Sequence, residues 1–142
     1  MMSGKSKSTI REVLQAIEEL KSMSDLPVEK YASEDGLAYA VVTSFDKDDL
    51  KMTQLYKVFY EMRNLSKRVK QGRDFRRDQL LKLKPLVAYA AGRGVIPSEF
   101  YELVSKVLDR IHTRADMERA VDFLEAIVAY HKYHWRTRRG IS

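Results

Sequence analysis

Histidine is the side chain in this sequence with the most obvious capacity for chemistry, because it can bind a metal ion or transfer a proton near neutral pH. His131 and His134 are three residues apart, so one face of a helix can carry both. A transition-metal site needs three or four converging ligands, and helical bundles supply them through a Glu-x-x-His pattern. The residues three positions before these histidines are Val128 and His131, and His112 stands alone at a predicted helix end. We therefore interpret all three histidines as packing or surface residues.

Other catalytic patterns do not occur in the sequence. There is no cysteine, which excludes thiolate nucleophiles, disulfides and cysteine-based zinc sites. There is no phosphate-binding loop ending in Gly-Lys-Ser/Thr and no Gly-x-Ser-x-Gly nucleophile elbow, and Gly92-Arg93-Gly94 is too short to cradle a nucleotide. We expect no catalytic site, no metal and no cofactor. A nuclease or other metal-dependent enzyme that uses His131 and His134 is the weaker hypothesis.

Positive charge is concentrated in the middle of the chain. The net charge is +6, but residues 1–50 carry 6 basic and 10 acidic side chains, whereas residues 51–94 carry 12 basic and 3 acidic ones. Residues 95–142 are nearly balanced, with 8 basic and 7 acidic side chains. Such a segment is what a phosphate-binding surface requires, and a merely solvated basic face is the equal alternative.

The third predicted helix, residues 53–71, combines these cations with aromatic rings. At 100° per residue, four side chains fall within about 60° of one another and away from the core stripe; they are Tyr56, Tyr60, Arg63 and Lys67. Lys70 flanks this row, while Lys57 and Arg68 lie further round the helix. Cations neutralise phosphates and rings stack on bases, so the row suits a single-stranded nucleic acid. The alternative is a tyrosine pair half-buried against a neighbouring helix.

The elements that position these residues are predicted to be helical throughout. Apolar residues recur at three- and four-residue steps, which predicts an all-α, single-domain bundle of five to six helices over residues 1–142. Residues 1–8 and 136–142 are expected to be mobile tails. No apolar run approaches the ~20 residues that span a bilayer, and no secretory signal is recognised, so we expect a cytoplasmic protein without membrane contact.

Particular residues set the predicted helix limits in the N-terminal third. Thr9 and Glu12 form a capping box that starts the first helix, and Asp25-Leu26-Pro27 ends it. A short second helix covers residues 33–45. Within it, Val41-Val42-Thr43 is equally compatible with a strand.

Proline and threonine set the limits further along the chain. Pro85 either splits its region into a helix over residues 74–82 and another from Pro85 to about Arg93, or kinks a single helix. Thr113, with Asp116 three residues later, starts the last helix.

Three stretches of sequence carry recognisable motifs. They read MTQLYKVFY at 52–60, LKPLVAYAAGR at 83–93 and FLEAIVAYHKY at 123–133. They resemble, in the same order, the Thr/Ser-Gln-Ile-Arg-Lys-Phe helix start, the Pro-x-x-Ala-Tyr-Ala-x-x-Arg segment and the Glu-Ala-x-x-Ala-Tyr-His signature of one family. That family is the small subunit of type III-A CRISPR effector (Csm) complexes. Tyr56 departs from it, because the family has arginine there, while Lys57 is retained.

This resemblance implies an all-helical, non-catalytic subunit that stacks in several copies along a guide RNA and contacts single-stranded target RNA. Its partners would be guide RNA, target RNA, other Csm subunits and further copies of itself. Arg93 joins the candidate contacts because the resemblance places an arginine there. The full set of RNA-binding candidates is Lys57, Arg63, Lys67, Arg68, Lys70, Arg73, Arg76, Arg77 and Arg93.

A small helical transcription regulator that binds duplex DNA is the alternative function. It would need a helix-turn-helix with a polar recognition helix. Residues 92–97 offer a turn, but the helix that follows begins with Glu99 and Glu102, which disfavours contact with phosphates.

Overall fold

Every element in the described part of the chain is helical. In the computed structural model, residues 9–70 and 75–141 are described, with side chains as far as residue 136. These ranges contain no β-strand, so the predicted all-α class is confirmed. They contain a 3-10 turn at Met23–Asp25 and eight α-helices: α1 (Ile10–Glu18), α2 (Val28–Tyr31), α3 (Leu37–Thr43), α4 (Met52–Lys70), α5 (Arg77–Leu81), α6 (Leu83–Gly92), α7 (Ser98–Asp109) and α8 (Arg114–Ile141).

Helix α8 lies at the centre of the bundle and contacts α3, α4 and the 3-10 turn. Its buried side chains recur at three- and four-residue steps, which is the period of one helix face; they include Met117, Ala120, Phe123, Leu124, Ile127, Val128 and His131. Helix α7 packs against α1 and α6 and buries Phe100 and Leu103 completely. Burial of this apolar surface is the main force that holds the helices together.

The capping box that the sequence predicts at the start of α1 is confirmed. The Thr9 hydroxyl oxygen accepts a hydrogen bond from the Glu12 N–H, and the Glu12 carboxylate accepts one from the Thr9 N–H. The segment Val41-Val42-Thr43 lies in α3, so the strand alternative is wrong. Val41 and Val42 are buried between neighbouring helices, and this tertiary burial outweighs the β-propensity of valine.

Helix α1 is shorter than predicted, because it ends at Glu18 and not at residues 25–27. Arg110, at the end of α7, donates hydrogen bonds to the carbonyl oxygens of Glu18 and Leu20, each at 2.9 Å. These bonds satisfy carbonyl groups that a helix end otherwise leaves open. The chain then turns through Met23–Asp25, whose first N–H bonds to the Arg110 carbonyl oxygen at 2.9 Å.

Pro85 splits its region into two helices, which decides between the two sequence alternatives. Helix α5 ends at Leu81, and α6 begins at Leu83 with Pro85 in its first turn. The missing N–H of proline does no harm there, since the first-turn N–H groups have no partner within the helix. This split and the additional four-residue helix α2 explain why the described ranges contain more helices than the five to six predicted. At the C-terminal end of the chain, α8 continues to Ile141. The mobility expected of residues 136–142 stays a prediction. The other tail expected to be mobile, residues 1–8, lies outside the described ranges.

The start of α8 is fixed by the buried carboxylate of Asp116, which is 1% exposed. One oxygen accepts the N–H of Ser24 in the 3-10 turn at 2.8 Å. The other accepts the N–H groups of His112 and Thr113, at 2.9 and 3.1 Å. Burial raises the pKa of Asp116, but the hydrogen bonds from Ser24, His112 and Thr113 outweigh burial and hold that pKa below its ordinary value.

Replacing Asp116 by asparagine should destabilise the fold at neutral pH. The asparagine amide has one acceptor oxygen, whereas the three N–H groups of Ser24, His112 and Thr113 bond to two carboxylate oxygens in the wild type. The expected loss is about 1–3 kcal/mol of unfolding free energy. Because the folded pKa of Asp116 is lowered, its ionised form stabilises the fold fully above about pH 3.9. That contribution disappears as the pH falls through the lowered value.

Denaturant melts of wild type and Asp116→Asn at pH 7 and at about pH 3 measure this difference. The gap between the two proteins should narrow on acidification. Asp122→Asn, an exposed change on the same helix, is the matched control and should stay close to wild type at both values. A gap that is constant with pH would contradict the role given to the Asp116 charge.

Candidate nucleic-acid interface

Helix α4 carries a row of rings and cations away from its buried stripe, which we call the α4 row: Tyr56, Tyr60, Arg63 and Lys67. The rings of Tyr56 and Tyr60 are stacked, with centroids 5.5 Å apart and planes 19° from parallel. Tyr60 is 50% exposed, whereas Tyr56 is partly buried and packs against the core, as the half-buried alternative expected for that ring. The Arg63 guanidinium lies 5.9 Å from the centroid of the Phe59 ring, and Lys67 follows one turn later. The row is therefore accessible at Tyr60 and Lys67 and partly buried at Tyr56 and Arg63.

Most cations of α4 have no carboxylate partner. Among the described residues, no acidic side chain lies within ion-pairing distance of Lys57, Arg63, Lys67 or Arg68. Lys70 faces Glu118 of α8 at 3.9 Å, and both side chains are largely exposed. An exposed pair of this kind contributes little to stability, so Lys70 remains available to another anion.

Arg76 and Arg77 are adjacent in sequence but have different surroundings. Arg76 is exposed and pairs with Asp78 at 3.1 Å, and this hydrogen bond lowers the pKa of Asp78. Arg77 donates through Nε to the Ile111 carbonyl oxygen at 3.1 Å and through Nη2 to that of Asp109 at 3.2 Å. Arg77 therefore caps the end of α7, and much of its hydrogen-bonding capacity is used by the fold.

Arg93 is placed by the turn that ends α6. The Gly94 backbone has φ of 75°, a conformation that L side chains rarely adopt, and its N–H bonds to the Ala91 carbonyl oxygen. The exposed Arg93 guanidinium then lies 5.7 Å from the Tyr89 ring centroid. Arg93 and Lys57 line the same groove of about 420 Å³ between α4 and α6. The structure thus brings together two cations that are 36 positions apart.

The nine predicted RNA-binding residues therefore fall into three groups. Five lie on α4, with Arg93 sharing a groove with one of them. Arg76 and Arg77 are held near α5 and the end of α7. Arg73 lies outside the described residues.

His131 and His134 are both buried and serve the packing of α8. The Nε2 atom of His131 lies 2.7 Å from the Leu50 carbonyl oxygen. Burial lowers the pKa of His131, although the bond to Leu50 works in the opposite direction. His134 Nδ1 lies 2.8 Å from the Tyr39 hydroxyl oxygen. Within the described ranges, no group of three acidic or histidine side chains is arranged to hold a metal ion.

A second cationic surface lies where the start of α4 faces the end of α8. It is a cleft of about 870 Å³, here called the basic cleft, lined by Lys47, Asp48, Lys51, Met52, Thr53, Tyr56, His131, Lys132, Trp135 and Arg136. Sequence reasoning missed it, because its four cations come from three segments with very different net charge. The spacing of Lys132 and Arg136, four apart around Trp135, is the one local signal that could have revealed it.

Comparison with known proteins identifies the family of this chain. No described helix is long and apolar enough to cross a membrane. No curated protein and no solved structure matches the sequence. The sequence model of the family described as Csm2 Type III-A matches residues 28–137, well over half of the chain. The chain therefore belongs to the Csm2 Type III-A family and is a small subunit of the type III-A CRISPR effector complex, as its three motifs predicted.

Proposed function

We propose that this protein is a non-catalytic, RNA-binding structural subunit of its effector complex, acting in antiviral defence in the cytoplasm. Several copies stack along the guide RNA, beside other Csm subunits, and contact the backbone of single-stranded target RNA. The α4 row and the neighbouring cations Lys57, Arg68 and Lys70 supply the main contacts. Arg76 and Arg93 add further contacts, and Arg73 is a candidate from the sequence alone. Arg77 contributes less because it caps α7.

The observation that carries this proposal is that Lys57, Arg63, Lys67 and Arg68 of α4 have no carboxylate partner within the described ranges and lie on the same helix as the exposed ring of Tyr60. A solvated face of a stable helix commonly balances its charges with acidic neighbours three or four residues away. Between Thr53 and Lys70 the sequence contains a single acidic residue, Glu61, against five cations. Such an excess repels itself until an anion binds, and RNA phosphates are suitable anions.

The geometry favours contact with the RNA backbone over reading of bases. Lysine and arginine side chains on an open helix face can reach phosphates of any sequence, whereas base recognition needs donors and acceptors fixed in a groove or pocket. In an RNA-guided complex, base pairing between guide and target selects the sequence. A subunit that contacts only the RNA backbone is consistent with this mechanism, because base pairing already selects the sequence.

Helix α6 offers a surface for contacts between subunits. Leu86 and Tyr89 are 61% and 67% exposed, and they border the groove between α4 and α6. Exposed apolar side chains that cluster in this way are typical of protein interfaces. We assign this surface to a neighbouring copy or another Csm subunit.

The DNA-binding alternative has weaker support. Its recognition helix would be α7, which begins after the turn at residues 92–97 and exposes Glu99 and Glu102 in its first two turns. Carboxylates there would repel DNA phosphates. The metal-dependent nuclease alternative is also weak, because His131 and His134 bond to Leu50 and Tyr39.

The isolated protein should bind single-stranded RNA weakly and without sequence preference. Its affinity should fall with added salt, with a slope of roughly 0.7 log unit per log unit of salt for each phosphate neutralised. Titrations of a labelled RNA at several salt concentrations give this slope. Binding that ignores salt, or that strongly prefers one sequence or duplex DNA, would contradict the proposal.

Removing two cations from the α4 row by Arg63→Ala/Lys67→Ala should weaken RNA binding several-fold. The salt slope should fall by about 1.4, since two phosphate contacts at roughly 0.7 each are lost. Lys67→Glu should weaken binding more than Lys67→Ala, because it adds repulsion.

The matched control is Lys21→Ala/Lys30→Ala, which removes the same charge from exposed positions in the acidic third of the chain. Thermal melts establish that both double variants are folded. If the control pair weakens binding and the α4 pair does not, the RNA-binding face has been assigned to the wrong surface.

A further inference from the structure

The basic cleft has the features of a built site. Among the described residues that line it, four are cations and one, Asp48, is acidic, so the lining is net positive. Lys132 and Arg136 are exposed one turn apart on α8, beside the half-buried indole of Trp135. Lys51 reaches the cleft from the start of α4. A flat ring beside cations is an arrangement that binds a stacked base together with neighbouring phosphates.

His131, in the wall of the cleft, has a polar atom without a partner. The residue is 3% exposed, and its Nδ1 makes no hydrogen bond within the described structure. Nε2 lies 2.7 Å from the Leu50 carbonyl oxygen, which can only accept, so Nε2 carries the proton. Because burial lowers the pKa of His131, the ring is neutral and Nδ1 is left as an unused acceptor. A buried acceptor without a donor costs free energy. Because Nδ1 is shielded from solvent, the cations are the polar groups of the cleft that remain open to a ligand.

The cleft is continuous with the α4 row. Tyr56 lines the cleft, and its ring stacks on Tyr60, which leads toward Arg63 and Lys67. One chain of nucleotides can therefore contact both the α4 row and the cleft. This continuity favours RNA over an acidic protein segment, because RNA bases can stack on the tyrosine rings whereas acidic side chains cannot.

We propose that the basic cleft holds one unpaired nucleotide of the bound RNA, with its base against Trp135 and its phosphates on Lys51, Lys132 and Arg136. This inference rests on the proposed RNA-binding function and adds a base-stacking subsite that the α4 cations alone do not provide. Any base can stack, so the subsite requires no sequence preference.

Trp135 is the only tryptophan in the sequence, so its fluorescence reports on the cleft directly. The full chain is titrated at low salt with a single-stranded oligouridylate, and tryptophan emission is followed. The same RNA carrying a dye is titrated in parallel, and its anisotropy measures total binding. We expect saturable quenching of Trp135 with the same midpoint as the anisotropy change. An oligomer of abasic nucleotides should quench much less, because its phosphates bind but no base stacks.

Variants then separate the stacked base from the charges. Trp135→Leu should weaken RNA binding by anisotropy on the order of tenfold, while Trp135→Phe, which keeps a ring, should change it little. Lys132→Ala/Arg136→Ala should shift the quenching midpoint to higher RNA concentration. Lys21→Ala/Lys30→Ala should leave the midpoint unchanged. Thermal melts confirm that each variant is folded.

The outcomes distinguish this inference from the proposed function. If anisotropy reports binding but Trp135 emission does not change, RNA binds elsewhere, and the cleft proposal is overturned while the proposed function stands. Equal quenching by the abasic oligomer would also overturn it. If anisotropy reports no binding at any salt concentration, the proposed function itself fails, and this inference fails with it.

Discussion

The carboxylate of Asp116 sets the position of the helix on which the rest of the bundle is built. It joins three N–H groups from two separate loops, so the start of α8 cannot slide relative to the 3-10 turn. Because α8 is the element that contacts α3 and α4, its register determines which of its side chains meet them. Trp135 and Arg136, five turns further on, face the start of α4 only in this register. A polar contact at one end of α8 thus controls the basic cleft at the other.

The cations of this protein divide between the fold and its proposed ligand. Arg77, Arg110 and Arg119 donate to main-chain carbonyl oxygens at the ends of helices and turns. Each replaces solvent at groups that helix geometry leaves without partners. The α4 cations have no comparable acceptor among the described residues. Net charge alone cannot separate these two sets, since both raise the isoelectric point equally. Only hydrogen-bond partners show which arginines remain free to neutralise phosphate.

The sequence predicted those features that depend on neighbours along one helix. The stripe of α4, the capping box of Thr9 and the aromatic row beside Arg63 follow from periodicity and local hydrogen bonds, and the structure contains all three. The role of Arg77 could not be predicted, because its acceptors lie more than 30 residues away. The basic cleft was missed for the same reason: Lys47 belongs to a segment with net negative charge, and only folding brings it near Lys132.

The contacts that close the bundle join the two ends of the chain. Ser24 bonds to Asp116 across 92 positions, and the Tyr130 hydroxyl bonds to the Ala32 carbonyl oxygen across 98. At synthesis rates of roughly 5–20 residues per second, about 5–20 s separate the emergence of such partners from the ribosome. The segments of α1 to α3 therefore emerge before the helices that bury them have been made. The first third of the nascent chain thus emerges with its apolar residues unburied. Its ten carboxylates against six cations give it a net charge of −4, which opposes self-association.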